Sequence, residues 1–393
     1  MNQEETRDPM PSGNEEFVVT PWEVRGKVDY AKLVKQFGTE LIDDALLKRF
    51  EKHTGELHYL LRRGIYFSHR DMNWIFDELE KGHPFFLYNG RGPSGHTHIG
   101  HLTQLIFTKW MQDKFHCPYY FQLTDDEKFL FNSELDLKET QHYARENALD
   151  AIALGFKPTD TTIIIDSLHA RTLYPLAIQI AKRVTFSTAR AVFGFDNSNN
   201  IGQIFYTSFQ AVPAILHSVR VGHNVPCVIP LGIDQDAHFR VARDVVDKMG
   251  YYKPALLHSM FLPGLQEGGK MSASDPDSSL FTVDPPAVIK RKLQNAFTGG
   301  RGNAAEQRKL GGNPDVCSVF WNYRLIFIPD DAKLQEVDQR CRSGVMLCGE
   351  CKNILIDLAT KFLTAHQEKR EKARDKLDDY FLKEDAAPKT PRK

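Results

Sequence analysis

Three histidines, His96, His98 and His101, fall within the run Tyr88-Asn89-Gly90-Arg91-Gly92-Pro93-Ser94-Gly95-His96-Thr97-His98-Ile99-Gly100-His101. Glycines ahead of a helix let the backbone approach an anion, and the unpaired N–H groups of the first turn point at it. His98 and His101, at i and i+3, share a helix face, and Gly100 between them leaves a bare spot for a planar base. This pattern suits phosphate and nucleotide chemistry; a zinc cluster or surface histidines would also fit the spacing. Far downstream, Gly268-Gly269-Lys270-Met271-Ser272-Ala273-Ser274-Asp275 places a lysine among small residues. Such a lysine can swing onto a polyphosphate and withdraw when product leaves, or it can be an ordinary solvated loop residue.

The elements that must position these groups follow from patterning. FFLY (85–88), PYYFQLT (118–124), TTIIID (161–166), PCVIPLGID (226–234) and ALLHSMFL (255–262) are short apolar runs separated by helical stretches. That alternation predicts a parallel sheet covered on both faces, with ligands outside the carboxyl ends of its strands. Before it, FVVTPWEV (17–24) reads as a short ribbon, and residues 29–80 as helical, with Asp43 or Asp44 and Asp71 as helix caps. Two or three helices are expected over 172–219. After Pro285-Pro286 the strand signal fades and residues 287–383 read as helices. The expected organisation is a disordered N-terminus (1–16), a ribbon and helical extension (17–81), an α/β Rossmann-like parallel-sheet catalytic domain (82–283), an all-α domain (284–385) and a disordered tail (386–393).

Taken together, His98-Ile99-Gly100-His101 and Lys270-Met271-Ser272-Ala273-Ser274 resemble the two signatures of the class I aminoacyl-tRNA synthetases, HIGH and KMSKS, with Ala273 in place of the second lysine. The resemblance implies ATP as substrate, with Mg²⁺, and a carboxylate attacking the α-phosphorus. His98, His101 and Lys270 would be the catalytic donors. Arg91, Gly92, Gly100, Asp234, Met271, Ser272 and Ser274 would complete the ATP site. Within this class the tyrosyl family carries Tyr-x-x-x-Gln-x-x-Asp, whose aspartate meets the substrate phenol. Here the run is Tyr206-Thr207-Ser208-Phe209-Gln210-Ala211-Val212-Pro213. Proline cannot pair with a buried phenol, an omission worth about 1–3 kcal/mol. The chain is instead similar to the tryptophanyl family, closest to its eukaryotic cytosolic type, from about residue 17 to 383. That resemblance implies a tryptophan site in which Tyr88 and Gln122 meet the indole N–H. Glu127 and Gln210 would lie near the ammonium, Gln235 near the carboxylate, and the ribbon containing Val19-Thr20-Pro21-Trp22-Glu23-Val24 over the adenosine.

In that family the helical domain holds tRNA(Trp). Lys290, Arg291, Lys292 and Arg301 supply local basic groups, and Gly311-Gly312-Asn313-Pro314-Asp315 is a candidate base-contacting loop. Four cysteines also fall here, Cys317, Cys341, Cys348 and Cys351, spaced C-x23-C-x6-C-x2-C. Four thiolates at such positions could hold zinc or a [4Fe–4S] cluster; reduced cysteines on neighbouring helices are the plainer account. Cys117 and Cys227 read as core.

Composition restricts the alternatives. Apolar residues make up 41% and charged residues 26% of the 393, with a formal net charge of −1 from 50 basic and 51 acidic side chains. No whole-protein positive field can be invoked, so nucleic acid must be met by local patches. No run approaches the roughly 20 apolar residues of a membrane span. The acidic N-terminal stretch carries no signal-peptide pattern, and six cysteines make no disulfide scaffold, which together point to a cytoplasmic protein. The resemblance adds a homodimer, with its interface near residues 175–220. Tyrosyl-tRNA synthetase, a small-molecule nucleotidyltransferase with the same His-x-Gly-His, and a silent RNA-binding homologue are the competing readings.

Overall fold

The computed structural model describes residues 29–384 except Ser274, together with the backbone of Val18–Val19 and Val24–Arg25. The expectations for residues 1–16, for 386–393, for Thr20, Pro21, Trp22 and Glu23, and for Ser274 lie outside the described residues. In chain order the strands are β1 (Val18–Val19), β2 (Val24–Arg25), β3 (Glu40–Leu41), β4 (Tyr66–Arg70), β5 (Phe86–Arg91), β6 (Tyr119–Leu123), β7 (Thr161–Ile165), β8 (Cys227–Gly232) and β9 (Ala255–Ser259). β1 and β2 pair antiparallel, the expected ribbon. The other seven form one sheet ordered β3-β4-β9-β8-β5-β6-β7.

Strands β9, β8, β5, β6 and β7 run parallel, and β4 and β3 extend the edge antiparallel. Chain order leaves β5 in opposite directions, to β6 on one side and to β8 on the other. The carboxyl ends of β5 and β8 therefore flank the switch-point crevice of a doubly wound sheet. The five parallel strands are the five apolar runs of the sequence. β3 and β4 are a correction to the all-helical reading of 29–80. Tyr66-Phe67-Ser68-His69-Arg70 is strand because β9 would otherwise be a bare edge, and Ser68 and His69 are buried against it. Helices Tyr30–Phe37 and Asp44–Thr54 form as expected, the second capped by Asp43, whose carboxylate accepts from the Leu46 N–H at 2.8 Å. Asp71 does precede the helix Met72–Glu80, but in a left-handed conformation and without a capping bond; its carboxylate pairs with Arg243 at 2.5 Å instead. Four helices, not two or three, fill 170–221.

Both faces of the sheet are covered. On one, Leu102, Phe107, Phe121 and Ile163 pack in a cluster that continues without a gap into Ile289, Leu293, Phe320, Leu355 and Leu363. The helices after Pro286 thus share their core with the sheet. On the other face, Phe86, Tyr88, Ile164 and Ile229 pack against Leu176, Tyr206, Leu216 and Phe239. The 26-residue helix Cys348–Ala373 is bound to the helix Leu137–Ala153 by buried charge. His366 Nε2 lies 2.9 Å from Asp150, and Arg370 reaches Asp150 and Glu146 at 2.9 and 3.1 Å. No described helix is long and apolar enough to cross a membrane.

Candidate active site

A cavity of about 230 Å³ opens at the carboxyl ends of β5 and β8, lined by Gly90, Arg91, Gly92, His101, Glu127, Lys128, Gln210, Asp234, Gln235 and Phe239 among others. Strand β5 ends in the glycine turn, which delivers His98 as N-cap of the helix Ile99–Phe115. His98 Nδ1 accepts the Gly100 N–H at 3.1 Å, so the ring hydrogen of the neutral imidazole sits on Nε2. The His98 and His101 rings stack with centroids 3.6 Å apart. Burial first, then the positive charge of Arg91, push His98 down to about 3. Burial and the neighbouring His98, Arg91 and Lys128 hold His101 well below its usual value. At neutral pH both are uncharged, so each ring can offer an N–H but no positive charge.

The distant lysine loop closes on this helix mouth. Thr97 and Ile99 exchange backbone hydrogen bonds with the segment that leaves the loop: Ile99 N–H donates to Leu280 at 3.0 Å, and Thr282 N–H donates to Thr97 at 2.8 Å. A Cβ placed on Gly100 would sit 2.9 Å from Met271 Sδ and 3.0 Å from the His98 ring. Met271 therefore lies over the bare spot between the histidines. Lys270 is exposed, and its positive charge is among the influences that lower the half-buried Asp234 carboxyl, which desolvation raises overall. Gln235 donates to Asp234 at 3.0 Å.

Other expected residues are placed differently. Arg91 is buried, and its guanidinium donates to Thr97 Oγ1 at 3.0 Å and to the carbonyls of Gly95 and His96 at 3.2 and 2.8 Å. It braces the glycine turn from behind. Tyr88 and Gln122 are buried one layer behind the cavity wall. The Tyr88 hydroxyl lies 2.5 Å from Gln122 Oε1 and 3.1 Å from the Gln210 carbonyl, and its ring centroid is 5.8 Å from that of the wall residue Phe239. Glu127 does face the cavity. Burial works to raise its carboxyl, but Lys128, 2.7 Å away, and Thr124 hold it below the usual range. Tyr206 donates to Gln210 Oε1 and lies 3.4 Å from Glu127. Ser272 lies on the loop, its N–H donating to Ser278 Oγ at 3.0 Å.

Three features were missed in the sequence. Lys128 lies against Gly92, where any Cβ would overlap it; its place beside Glu127 in Thr124-Asp125-Asp126-Glu127-Lys128 was the available signal. Asn89 and Gln104 line the wall, and nothing in the sequence marked them. Past Gln122 stand two further carboxyls, Asp166, which accepts from the Gln122 amide nitrogen, and Asp126. Burial, with the neighbouring Asp125 charge, pushes Asp126 up to about 7, and burial with Asp126 raises Asp166 well above the carboxylate range.

In the helical region Lys292 is buried, bonded to Asp284 at 2.7 Å and to the Ser279 carbonyl at 3.0 Å. It secures the exit of the lysine loop rather than a surface for RNA. Arg291 is exposed and paired with Asp277, and Arg301 donates to the Gly311 carbonyl. Gly312 and Asn313 of the candidate loop are tied by backbone bonds to Cys341 and Gly299. Cys317, Cys341, Cys348 and Cys351 line one cleft of about 10 Å³. Among the described residues no group of three or more His, Cys, Asp or Glu is set to hold a metal ion, and all six cysteines are free thiols.

The family model for tRNA synthetases class I (W and Y) matches residues 80–364. A tryptophan–tRNA ligase from Pyrobaculum calidifontis is 51% identical over 369 residues, 94% of this chain and 98% of the relative. The chain belongs to the class I tryptophanyl-tRNA synthetases. Members of known structure agree in architecture. The tryptophanyl-tRNA synthetase of Plasmodium falciparum is 39% identical with a TM-score of 0.84, covering 90% of this chain and 98% of that one. That of the archaeon Aeropyrum pernix is 32% identical with a TM-score of 0.82, covering 90% and 96%. Identity of 51% to an archaeal tryptophanyl enzyme leaves the eukaryotic cytosolic assignment without support.

Proposed function

We propose that this chain is a tryptophan–tRNA ligase, acting in two steps. A carboxylate oxygen of L-tryptophan attacks the α-phosphorus of ATP, the bond to the β-phosphate bridge breaks, and pyrophosphate leaves. A hydroxyl of tRNA(Trp) then attacks the activated carbonyl and AMP departs. The observation that carries this reading is the meeting of His98, Gly100 and His101 with Met271 of the lysine loop beside one cavity, at the switch point of the sheet.

Little covalent chemistry is asked of the protein, so positioning and charge stabilisation carry the rate. His98 and His101 donate neutral N–H groups to phosphate oxygens as these gain charge, and Lys270 holds the departing pyrophosphate. Gly92, Gly100 and Met271 shape the adenosine site with Ser272, and Asp234 takes a ribose hydroxyl. Glu127 and Gln210 meet the ammonium, Gln235 the carboxylate, and Tyr88 with Gln122 the indole. Mg²⁺ accompanying ATP would neutralise phosphate charge there, beside the Lys270 ammonium. The decisive measurement is ATP–pyrophosphate exchange with each amino acid in turn: tryptophan alone should support it, and tyrosine dependence would overturn the assignment.

The remaining assignments have unequal support. Half of the exposed large apolar side chains among the described residues, Leu168, Tyr174, Ile178, Phe186, Ile201 and Val221, fall between 168 and 221, which supports a homodimer through that face. Free thiols suit a cytoplasmic enzyme. A domain boundary near 284 is supported by the end of the strands at Ser259 and the run of helices from Pro286; the core shared across it argues against independent folding. Zinc or a [4Fe–4S] cluster at the four cysteines rests on their common cleft. Its volume is about that of one water-sized sphere, which suits a single ion, whereas a cube of four irons and four sulfides would require the helices to part. A metal-free, colourless protein after anaerobic purification would end both.

A further inference from the structure

Resting on the tryptophan reading, we propose that Asp166 is a positioning residue for indole recognition, fixing the direction of every hydrogen bond behind the substrate pocket. Asp166 follows β7 and is fully buried. Its two carboxyl oxygens lie 3.0 and 2.8 Å from Gln122 Nε2. An amide nitrogen only donates, so the Asp166 carboxyl decides which end of the Gln122 amide faces it. The other end, Oε1, is thereby turned to the Tyr88 hydroxyl at 2.5 Å. The second neighbour of that hydroxyl, the Gln210 carbonyl at 3.1 Å, is also an acceptor. Tyr88 has one hydrogen, and both partners inside the protein take it. Its oxygen is left able only to accept, and an indole N–H only donates.

The Gln122 amide nitrogen faces both oxygens of the Asp166 carboxyl, so one oxygen is left to accept from it whether or not the other carries a proton. The polarity runs one way, from Tyr88 through Gln122 to Asp166, across β5, β6 and the end of β7.

In Asp166→Asn the facing group can donate. The Gln122 amide can then turn, presenting its NH₂ to Tyr88 and filling the lone pair meant for the indole. The probe is 3-(benzothiophen-3-yl)alanine, which keeps the shape of tryptophan with sulfur in place of N–H. In pyrophosphate exchange the wild-type KM should favour tryptophan over this analogue by roughly 10- to 100-fold, the worth of one buried polar mismatch. Asp166→Asn should raise KM for tryptophan toward that of the analogue, with KM for ATP and kcat little changed. An equal rise for both substrates would reduce Asp166 to a packing role and overturn the proposal. So would a wild-type enzyme that does not distinguish them, a comparison that needs no variant to fold. Absence of any tryptophan-dependent exchange in the wild type would instead reject the ligase assignment itself.

Discussion

At the scale of single residues the site works through burial as much as through charge. His98 and His101 are drawn below their ordinary range by desolvation, with His98 at about 3. We expect exchange activity to show no limb near pH 6.5 from either ring, and a limb there that disappears in His101→Ala would contradict the neutral-donor role. The same shift has a consequence for stability. Unfolded histidine takes up a proton near pH 6.5, while the folded His98 stays neutral until about pH 3. Stability is thus fully present above pH 6.5 and falls as pH drops toward 3, by up to about 1.4 kcal/mol per pH unit for each such group. Urea unfolding at pH 7 and pH 5 should show wild type losing more than a His98→Asn variant. For the chemical step, His101→Ala and Lys270→Ala should each lower pyrophosphate exchange by roughly 100- to 1000-fold, the usual worth of one transition-state donor of about 3–4 kcal/mol. Tryptophan binding, followed by calorimetry, should change far less.

At the scale of elements, the helix mouth and the lysine loop are held at contact distance by the absence of side chains. In Gly100→Ala the new methyl would press on Met271 Sδ at 2.9 Å and on the His98 ring at 3.0 Å. The thioether can yield and the capping ring cannot do so without losing its bond to the Gly100 N–H. Exchange activity should fall by at least about tenfold, equivalent to about 1.4 kcal/mol, while thermal melting stays near wild type. Gly311 makes the opposite case. It sits at φ +70° with ψ 169°, and a Cβ there would lie 1.8 Å from the Arg342 carbonyl oxygen. Gly311→Ala should destabilise by about 1–3 kcal/mol from backbone strain alone, before the clash is added. Denaturant titration would read this, and the site chemistry of the surviving folded enzyme should be normal.

At the scale of the whole molecule, one apolar core joins the sheet to the helices after Pro286, and buried pairs from His366 and Arg370 fix the long helix to the catalytic face. Asn147, on the helix that receives those pairs, donates to the Gly95 carbonyl of the glycine turn at 3.1 Å. The helical region after Pro286 and the glycine turn thus rest on a common helix. The exposed apolar side chains of 168–221 belong to this scale too. Tyr174→Asp combined with Ile201→Asp, both well exposed, should convert the proposed dimer to a monomer in sedimentation velocity without loss of helicity. An unaltered mass would reject dimerisation through this face.

The parallel strands and the first nucleotide-side helix follow from local rules. Each apolar run between helices had to become a buried parallel strand, and the glycine turn before His98 had to open a helix, because period, glycine and capping are short-range properties. The cavity-lining positions at the ends of β5, β6 and β8 were legible for the same reason. The tertiary structure alone decided the contacts between distant segments. β4 became a strand because β9 needed a partner. Arg91 was taken by the carbonyls of its own turn. Lys292 was taken by Asp284. The Asp126–Asp166 pair formed where β6 and β7 end side by side. No spacing along the chain encodes such meetings, since which polar groups share a dry interior depends on how the layers pack, and burial then sets the charge they carry.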